Sequence, residues 1–129
     1  MSVHRRIAAR AASKALSWQN VTFESSWFNW GSGYQTVQYR LEGDMVRVRG
    51  LARKNGAGTA GETIFALETG YRPPLRVPPI ACMAQLTSST IAAVRVDVET
   101  SGKVSMPANA ATLVSGNWVS LDFSFSITA

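Results

Sequence analysis

Three charged side chains, Arg95, Asp97 and Glu99, alternate with valines in one stretch of the chain. If this stretch is a β-strand, the three share one face, with neighbouring side chains roughly 6.6–7 Å apart. Two carboxylates at such a distance are the minimum that a glycoside hydrolase requires. Nothing nearby in the sequence indicates a cleft that would remove water from them. A salt-bridged face in contact with solvent is therefore the favoured interpretation, and we predict no catalysis there.

Aromatic residues are the second group that could bind a ligand, and half of the twelve lie within residues 18–34. Exposed aromatic faces stack on sugar rings or on bases, which makes Trp27, Trp30 and Tyr34 candidate ligand contacts. The competing interpretation is that the cluster supplies core area, because aromatic side chains are most often buried. In that case Trp18 and Phe23 point inward as strand residues, and the other aromatic residues pack a hairpin.

The sequence holds few other groups with catalytic potential. His4 is the only histidine, and Cys82 is the only cysteine, within the apolar run IACMA (80–84). A single cysteine excludes an internal disulfide. A single histidine provides too few ligands for the usual zinc sites, and its place near the start of the chain leaves no histidine as a general base in the predicted body of the protein. We expect Cys82 to be a buried structural thiol. The prediction is a protein that is not an enzyme, with no metal and no cofactor.

The segments that must position these side chains show the period of two that is typical of half-buried strands. At 129 residues the chain has the length of one domain. Turn-like glycine, asparagine and aspartate residues separate the segments, and this pattern indicates an all-β sandwich or barrel. The clearest alternations are VQYRL (37–41), VRVRGL (46–51), VRVDVE (94–99) and VSLDFSFSIT (119–128).

Two segments depart from simple alternation. Ile64 and Phe65 are adjacent, so a strand at residues 63–67 must be covered on both faces. Contact with a second subunit is one way to cover the second face, and this predicts an oligomer. Four prolines within residues 72–79 indicate an extended connection or edge segment rather than a central strand.

Residues 1–16 differ from the rest, because they are rich in alanine and arginine and lack glycine and proline. This composition predicts a helical arm, marginal alone and stabilised by packing in an assembly. Its apolar stripe comprises Val3, Ile7 and Ala11. Its basic side chains are Arg5, Arg6, Arg10 and Lys14. A frayed tail and a short organellar transit peptide are the alternatives to an anchor.

The arm carries +4 of the formal net charge of +5, so residues 17–129 are nearly neutral. A body of this balance lacks the basic face that phosphate binding needs, and we predict no nucleic-acid contact through it. The absence of an apolar run of membrane-spanning length also predicts that the protein does not insert into a membrane.

Several blocks of the sequence resemble a module of small bacteriophage virion proteins of the tail-fibre, minor tail and head-fibre type. They are WQNVTF (18–23), WFNW (27–30), YQTVQYR (34–40), GDMVRVRGL (43–51), IFALETGYRP (64–73), VRVDV (94–98), GKV (102–104) and WVSLD (118–122). The similarity covers about residues 17–128. The block at 64–73 is the most specific, although Glu68 and Thr69 stand where the module usually has proline.

The resemblance implies an all-β, commonly trimeric protein connected with adsorption or with the virion surface, and it carries over no catalytic residues. We therefore predict an antiparallel, jelly-roll-like β-sandwich at residues 17–129, preceded by the anchoring arm at residues 1–16. The predicted function is that of a trimeric fibre- or spike-like virion surface protein, assembled in the bacterial cytoplasm, that contacts other virion proteins through the arm and host-surface glycan through the sandwich. A decoration protein that only stabilises the capsid or tail, and a small glycan-binding domain, are the alternatives.

Overall fold

The computed structural model of the protein describes residues 16–56, 61–107 and 117–128. Within these residues every named element is a strand, and every strand pairing is antiparallel. The all-β, antiparallel prediction is therefore confirmed. The predicted arm lies outside the described residues, apart from Leu16. The strands are β1 (Gln19–Asn20), β2 (Trp27–Asn29), β3 (Gln38–Glu42), β4 (Met45–Arg49), β5 (Leu51–Lys54), β6 (Thr63–Ala66), β7 (Ile80–Thr87), β8 (Thr90–Val98), β9 (Lys103–Ser105), β10 (Trp118–Ser120) and β11 (Phe123–Ser126).

The strands form two sheets. A four-stranded sheet has the order β1-β3-β4-β11, and a seven-stranded sheet has the order β2-β5-β10-β7-β8-β9-β6. Apolar side chains from both sheets meet in one buried core, as the alternating sequence patterns require. Its largest fully buried side chains are Phe65, Ile64, Leu67, Leu121, Val37, Val46, Val48, Val96, Val98, Val104 and Val119.

A β-bulge explains how Ile64 and Phe65 are both buried. The register of β6 against β9 shifts between Thr63 and Phe65, so Ile64 is an extra residue on its strand. A bridge between Phe23 and Phe65 adds contact with the segment that follows β1. Both Ile64 and Phe65 have no exposed surface within the single chain. A second subunit, which is one way to cover the second face, is therefore not needed to bury Ile64 and Phe65, and the prediction of an oligomer must rest on other residues.

Three connections that pass from one sheet to the other, β2 to β3, β4 to β5 and β10 to β11, lie together at one corner. Backbone hydrogen bonds join them: Trp30 N–H donates to the Leu51 carbonyl at 3.0 Å, and Leu51 N–H donates to the Gln35 carbonyl at 3.0 Å. Leu121 N–H donates to the Gly50 carbonyl at 2.9 Å. These hydrogen bonds provide partners for backbone N–H and carbonyl groups at the corner, where the chain passes out of the strand pairing of one sheet.

Gly50 is the residue at which the chain turns from β4 into β5. Its φ is +125°, and a Cβ atom built on it would lie 2.4 Å from the carbonyl oxygen of Thr36. Only glycine combines this conformation with so close an approach of a neighbouring backbone. This requirement for glycine also explains why the alternation of apolar and polar residues within 46–51 breaks at Gly50.

Residues 72–79 form no strand, as their prolines predict. The segment runs past the end of β8, where Val77 N–H donates to the Val98 carbonyl at 3.1 Å. This cover explains why the end of β8 is buried on both faces, with Val96, Asp97 and Val98 all buried.

Candidate functional site

An open cleft of about 560 Å³ lies at the corner where the three connections cross. Its apolar surface comes from three aromatic rings, Trp30, Tyr34 and Trp118, together with Leu51 and Met83. Its polar side chains are Gln35, Arg49, Ser120 and Asp122. Aromatic walls with a few polar groups at the rim are typical of small-molecule and saccharide sites.

The loop after β2 carries two of the three rings. Trp30 is half-buried, whereas Tyr34 is 60% exposed. Residues Gly31, Ser32 and Gly33 have φ values of +77°, +50° and +84°, and Tyr34 N–H donates to the Gly31 carbonyl at 3.0 Å. Glycine at two of these three left-handed positions allows the tight turn that brings Trp30 and Tyr34 to the same cleft.

The remaining walls come from β10 and the two residues that follow it. Side chains of residues 118–122 point alternately outward and inward. Val119 and Leu121 point inward and have no exposed surface, whereas Trp118, Ser120 and Asp122 point outward and line the cleft. Alternation thus places three side chains of different chemistry in one row along the cleft.

Guanidinium groups surround the cleft. Arg47 forms an ion pair with Asp122, and this pairing orients the carboxylate at the rim. Arg53 stacks with its Cζ atom 4.6 Å from the centre of the Trp30 ring. Arg49 donates from Nη2 to the Gln38 side-chain oxygen at 2.8 Å, and its buried Nε has no hydrogen-bond partner among the residues that the structure describes. Charged donors therefore lie beside aromatic faces, an arrangement suited to a ligand with both apolar and oxygen-bearing surfaces.

Two solved structures share this architecture. The head domain of the lactococcal phage bIL170, a receptor-binding domain, superposes with a TM-score of 0.59 at 15% identity, over 88% of this chain and 99% of that one. The receptor-binding protein of Listeria phage PSA superposes with a TM-score of 0.60 at 15% identity, over 100% of this chain and 82% of that one. The chain has the fold of a phage receptor-binding head domain.

This head-domain fold agrees with the resemblance to phage fibre proteins that the sequence blocks indicate. At 15% identity the similarity establishes the fold alone. No protein-family model matches the chain, and no curated protein matches its sequence.

The prediction that Trp27 contacts a ligand is corrected by its position in the head-domain fold. The Trp27 side chain points inward from β2 and is only 3% exposed. Its indole N–H donates to Glu62 Oε1 at 2.9 Å, and Glu62 also pairs with Lys54 at 3.0 Å. A ring buried to this extent has no free face for a sugar. Trp30 and Tyr34, in contrast, both line the cleft.

Asp97 is held between two arginines instead of belonging to an open carboxylate pair. Its side chain is 2% exposed and accepts two hydrogen bonds from Arg95, at 3.0 and 3.1 Å, and one from Arg76 at 3.0 Å. Glu99 accepts a hydrogen bond from the Ser101 hydroxyl at 3.4 Å. The salt-bridged interpretation of Arg95 and Asp97 is therefore confirmed, although the carboxylate of Asp97 is buried and not in contact with solvent.

Cys82 is 3% exposed, and its burial raises the pKa of the thiol to about 11. The thiol is therefore neutral at ordinary pH, and the expectation of a buried structural cysteine is confirmed. Among the described residues, no group of three histidine, cysteine or acidic side chains could hold a metal ion. The same residues contain no helix with the length and apolar character of a membrane span.

Sequence reasoning missed Trp118, Arg49 and Asp122 as members of the site. A signal for Trp118 existed, because a tryptophan in the polar phase of an alternating strand is expected to face outward. No comparable signal existed for Arg49, whose stacking partner Trp18 comes from a distant part of the sequence.

Proposed function

We propose that this protein is the adsorption module of a phage virion, a trimeric and non-enzymatic surface protein whose cleft binds glycan on the host surface. The observation that carries the proposal is the open cleft between Trp30, Tyr34 and Trp118, within the fold of a receptor-binding head domain. The proposed location is the virion surface, after assembly in the bacterial cytoplasm.

The chemistry of the cleft favours a saccharide. Sugar rings present C–H faces that pack on aromatic side chains, and their hydroxyl groups exchange hydrogen bonds with polar side chains at the rim. The cleft offers half-buried tryptophans for the first interaction, and Gln35, Ser120 and Asp122 for the second. It has room for one or two sugar units.

Binding without hydrolysis follows from the carboxylates. Asp122 is the carboxylate that lines the cleft, and it is already paired with Arg47. Asp97 is buried between Arg76 and Arg95. Glycoside hydrolysis by the usual route needs two carboxyl groups on either side of the bond that is cleaved. The described cleft supplies one.

Support for an oligomer comes from the outer apolar face, which we define as Ala81, Met83, Ile91 and Ala93. The register of β7 against β8 places these side chains together on the outside of the seven-stranded sheet. Met83 and Ile91 are 49% and 58% exposed, and Met83 also lines the cleft, so the outer apolar face borders it. A contiguous apolar face of this kind marks a protein contact, and we propose that it lies at a threefold axis.

Light scattering tests the oligomer directly. A trimer is expected for the full chain, and Ile91→Asp is expected to shift it to monomer by placing a charge in the contact. Ser124→Asp, at an exposed position of β11, is the matched control. A wild-type protein that is a monomer at every concentration would contradict the proposed trimer.

We also propose that residues 1–16 anchor the protein to other virion proteins. Deletion of residues 2–15 is expected to leave the sandwich folded, because the described core is built from Val37 onward with Trp27. The same deletion is expected to abolish incorporation into particles. Wild-type incorporation of the deleted protein would contradict the anchor.

The glycan proposal is tested by binding of the purified protein to a printed array of bacterial cell-surface saccharides, together with host-cell adsorption. Trp30→Ala is expected to weaken binding by about 10-fold to 100-fold, because one stacking wall is lost. Leu75→Ala, which removes a 69% exposed side chain outside the cleft, is the matched control. A protein that binds no saccharide, but whose removal makes particles fragile, would instead be a decoration protein.

A further inference from the structure

The ring of Trp18 lies within stacking distance of two guanidinium groups on the outer face of the four-stranded sheet. The Cζ atom of Arg49 is 3.6 Å from the ring centre, and that of Arg40 is 4.4 Å from it. The register pairs Gln38 with Arg49 and Arg40 with Arg47, so the two stacked arginines are diagonal neighbours. A planar guanidinium stacks favourably on an indole face, which makes Trp18 a platform for both.

The two stacked arginines differ in their other contacts. Arg40 donates from Nε and Nη2 to Glu42 Oε1, at 3.2 and 3.1 Å, and does not line the cleft. Arg49 lines the cleft, and within the described residues it has no carboxylate partner. Its Nη2 donates to Gln38, and in the described part of the chain its buried Nε has no hydrogen-bond partner.

We infer that Trp18 is a positioning residue for the cleft, because its ring holds the Arg49 guanidinium at the cleft wall with donors available to oxygen atoms of a ligand. This inference rests on the proposed glycan-binding function. A long arginine side chain loses considerable rotamer freedom when it is fixed, and one hydrogen bond to Gln38 gives it a single point of attachment. The stacked ring supplies the second contact, so the guanidinium is in place before a ligand arrives.

The first measurement needs no ligand. The Nε–H resonance of Arg49, assigned with Arg49→Lys, is expected to carry a ring-current shift that disappears in Trp18→Ala and persists in Trp18→Phe. If Trp18→Ala does not fold, Trp18→Leu replaces it, since leucine keeps apolar cover while removing the ring. An Arg49 resonance that is unchanged when the ring is removed would overturn the inference.

The second measurement is binding to the same saccharide array. Trp18→Ala is expected to weaken binding by about 10-fold, while Trp18→Phe retains it within about 3-fold. Arg40→Ala, which removes the other stacked guanidinium, is the matched control and is expected to stay within about 2-fold of wild type.

The two measurements separate failure of the inference from failure of the proposed function. Wild-type binding with an equal loss in Arg40→Ala and Trp18→Ala would overturn the positioning role and leave the glycan proposal intact. A wild-type protein that binds nothing on the array would overturn the glycan proposal and the ligand role of Arg49. In that case the resonance still decides whether Trp18 fixes Arg49.

Discussion

Trp27 and Trp30 are three residues apart, and both lie beside basic side chains, yet they belong to opposite kinds of surroundings. Trp27 is buried, and its N–H and the Lys54 ammonium both donate to the Glu62 carboxylate. Trp30 follows the end of the same strand and forms a wall of an open cleft. In the first cluster every polar group meets a partner in the interior, whereas in the second the rings of Trp30 and Tyr34 line an open cleft, even though Arg53 stacks on Trp30.

Aromatic and charged composition alone therefore does not distinguish a core cluster from a binding surface. Two other properties distinguish a core cluster from a binding surface: whether the side chain points inward or outward from its strand, and whether the chain itself supplies partners for the polar groups.

The largest contrast is expected from truncating each tryptophan. Trp27→Ala is expected to lower the free energy of unfolding by about 3–5 kcal/mol, because it leaves a cavity and removes the indole N–H that donates to the Glu62 carboxylate. Trp30→Ala is expected to lower it by about 1 kcal/mol and to act mainly on ligand binding. Urea denaturation of both variants measures the difference. Equal losses of stability would remove the distinction between the two environments.

The next contrast concerns the ion pairs. Glu62→Ala is expected to destabilise the fold by about 3–5 kcal/mol, because it leaves the buried ammonium of Lys54 without its carboxylate. The matched variant Glu42→Ala breaks the exposed pair with Arg40 and is expected to cost about 0–1 kcal/mol. Side-chain exposures of 6% and 9% for Lys54 and Glu62, against 36% and 44% for Arg40 and Glu42, are the basis of this difference. Chemical denaturation of the two variants decides it.

The sequence predicts the strands well and the site in part. Alternation at residues 119–128 gives the inward residues correctly even though β10 and β11 belong to different sheets, because both sheets cover one core. The same pattern cannot show that the chain changes sheet at Leu121 and Asp122. The cleft exists because of that change, so its membership depends on the sheet topology.

Two local features explain the remaining errors. β2 has three residues, which is too short for its period to show that Trp27 points inward. The bulge in β6 buries Ile64 and Phe65 together, whereas a regular strand would place them on opposite faces. Neither feature leaves a signal in composition or spacing.

A smaller effect is expected from pH, through groups of the interior. Burial raises the pKa of Cys82 from 9.0 to about 11, and burial together with Glu68 raises that of Tyr39. The folded state therefore keeps these protons to a higher pH than the unfolded state does. Their contribution to the free energy of unfolding is fully present below about pH 9 and is lost as the pH rises above it. Denaturation at about pH 8 and about pH 10.5 measures the loss, and Cys82→Ala is expected to reduce it. A stability that rises over this range would contradict the buried environment of both groups.

The most direct test of the cleft follows the indole N–H resonances of the four tryptophans while a saccharide selected on the array is titrated into the labelled protein. Trp27, whose N–H is bonded to Glu62, is an internal reference for the fold. We predict saturable shifts at Trp30 and Trp118 and an unmoved resonance for Trp27. Binding that shifts neither Trp30 nor Trp118 would place the ligand elsewhere and contradict the assignment of this cleft as the receptor site.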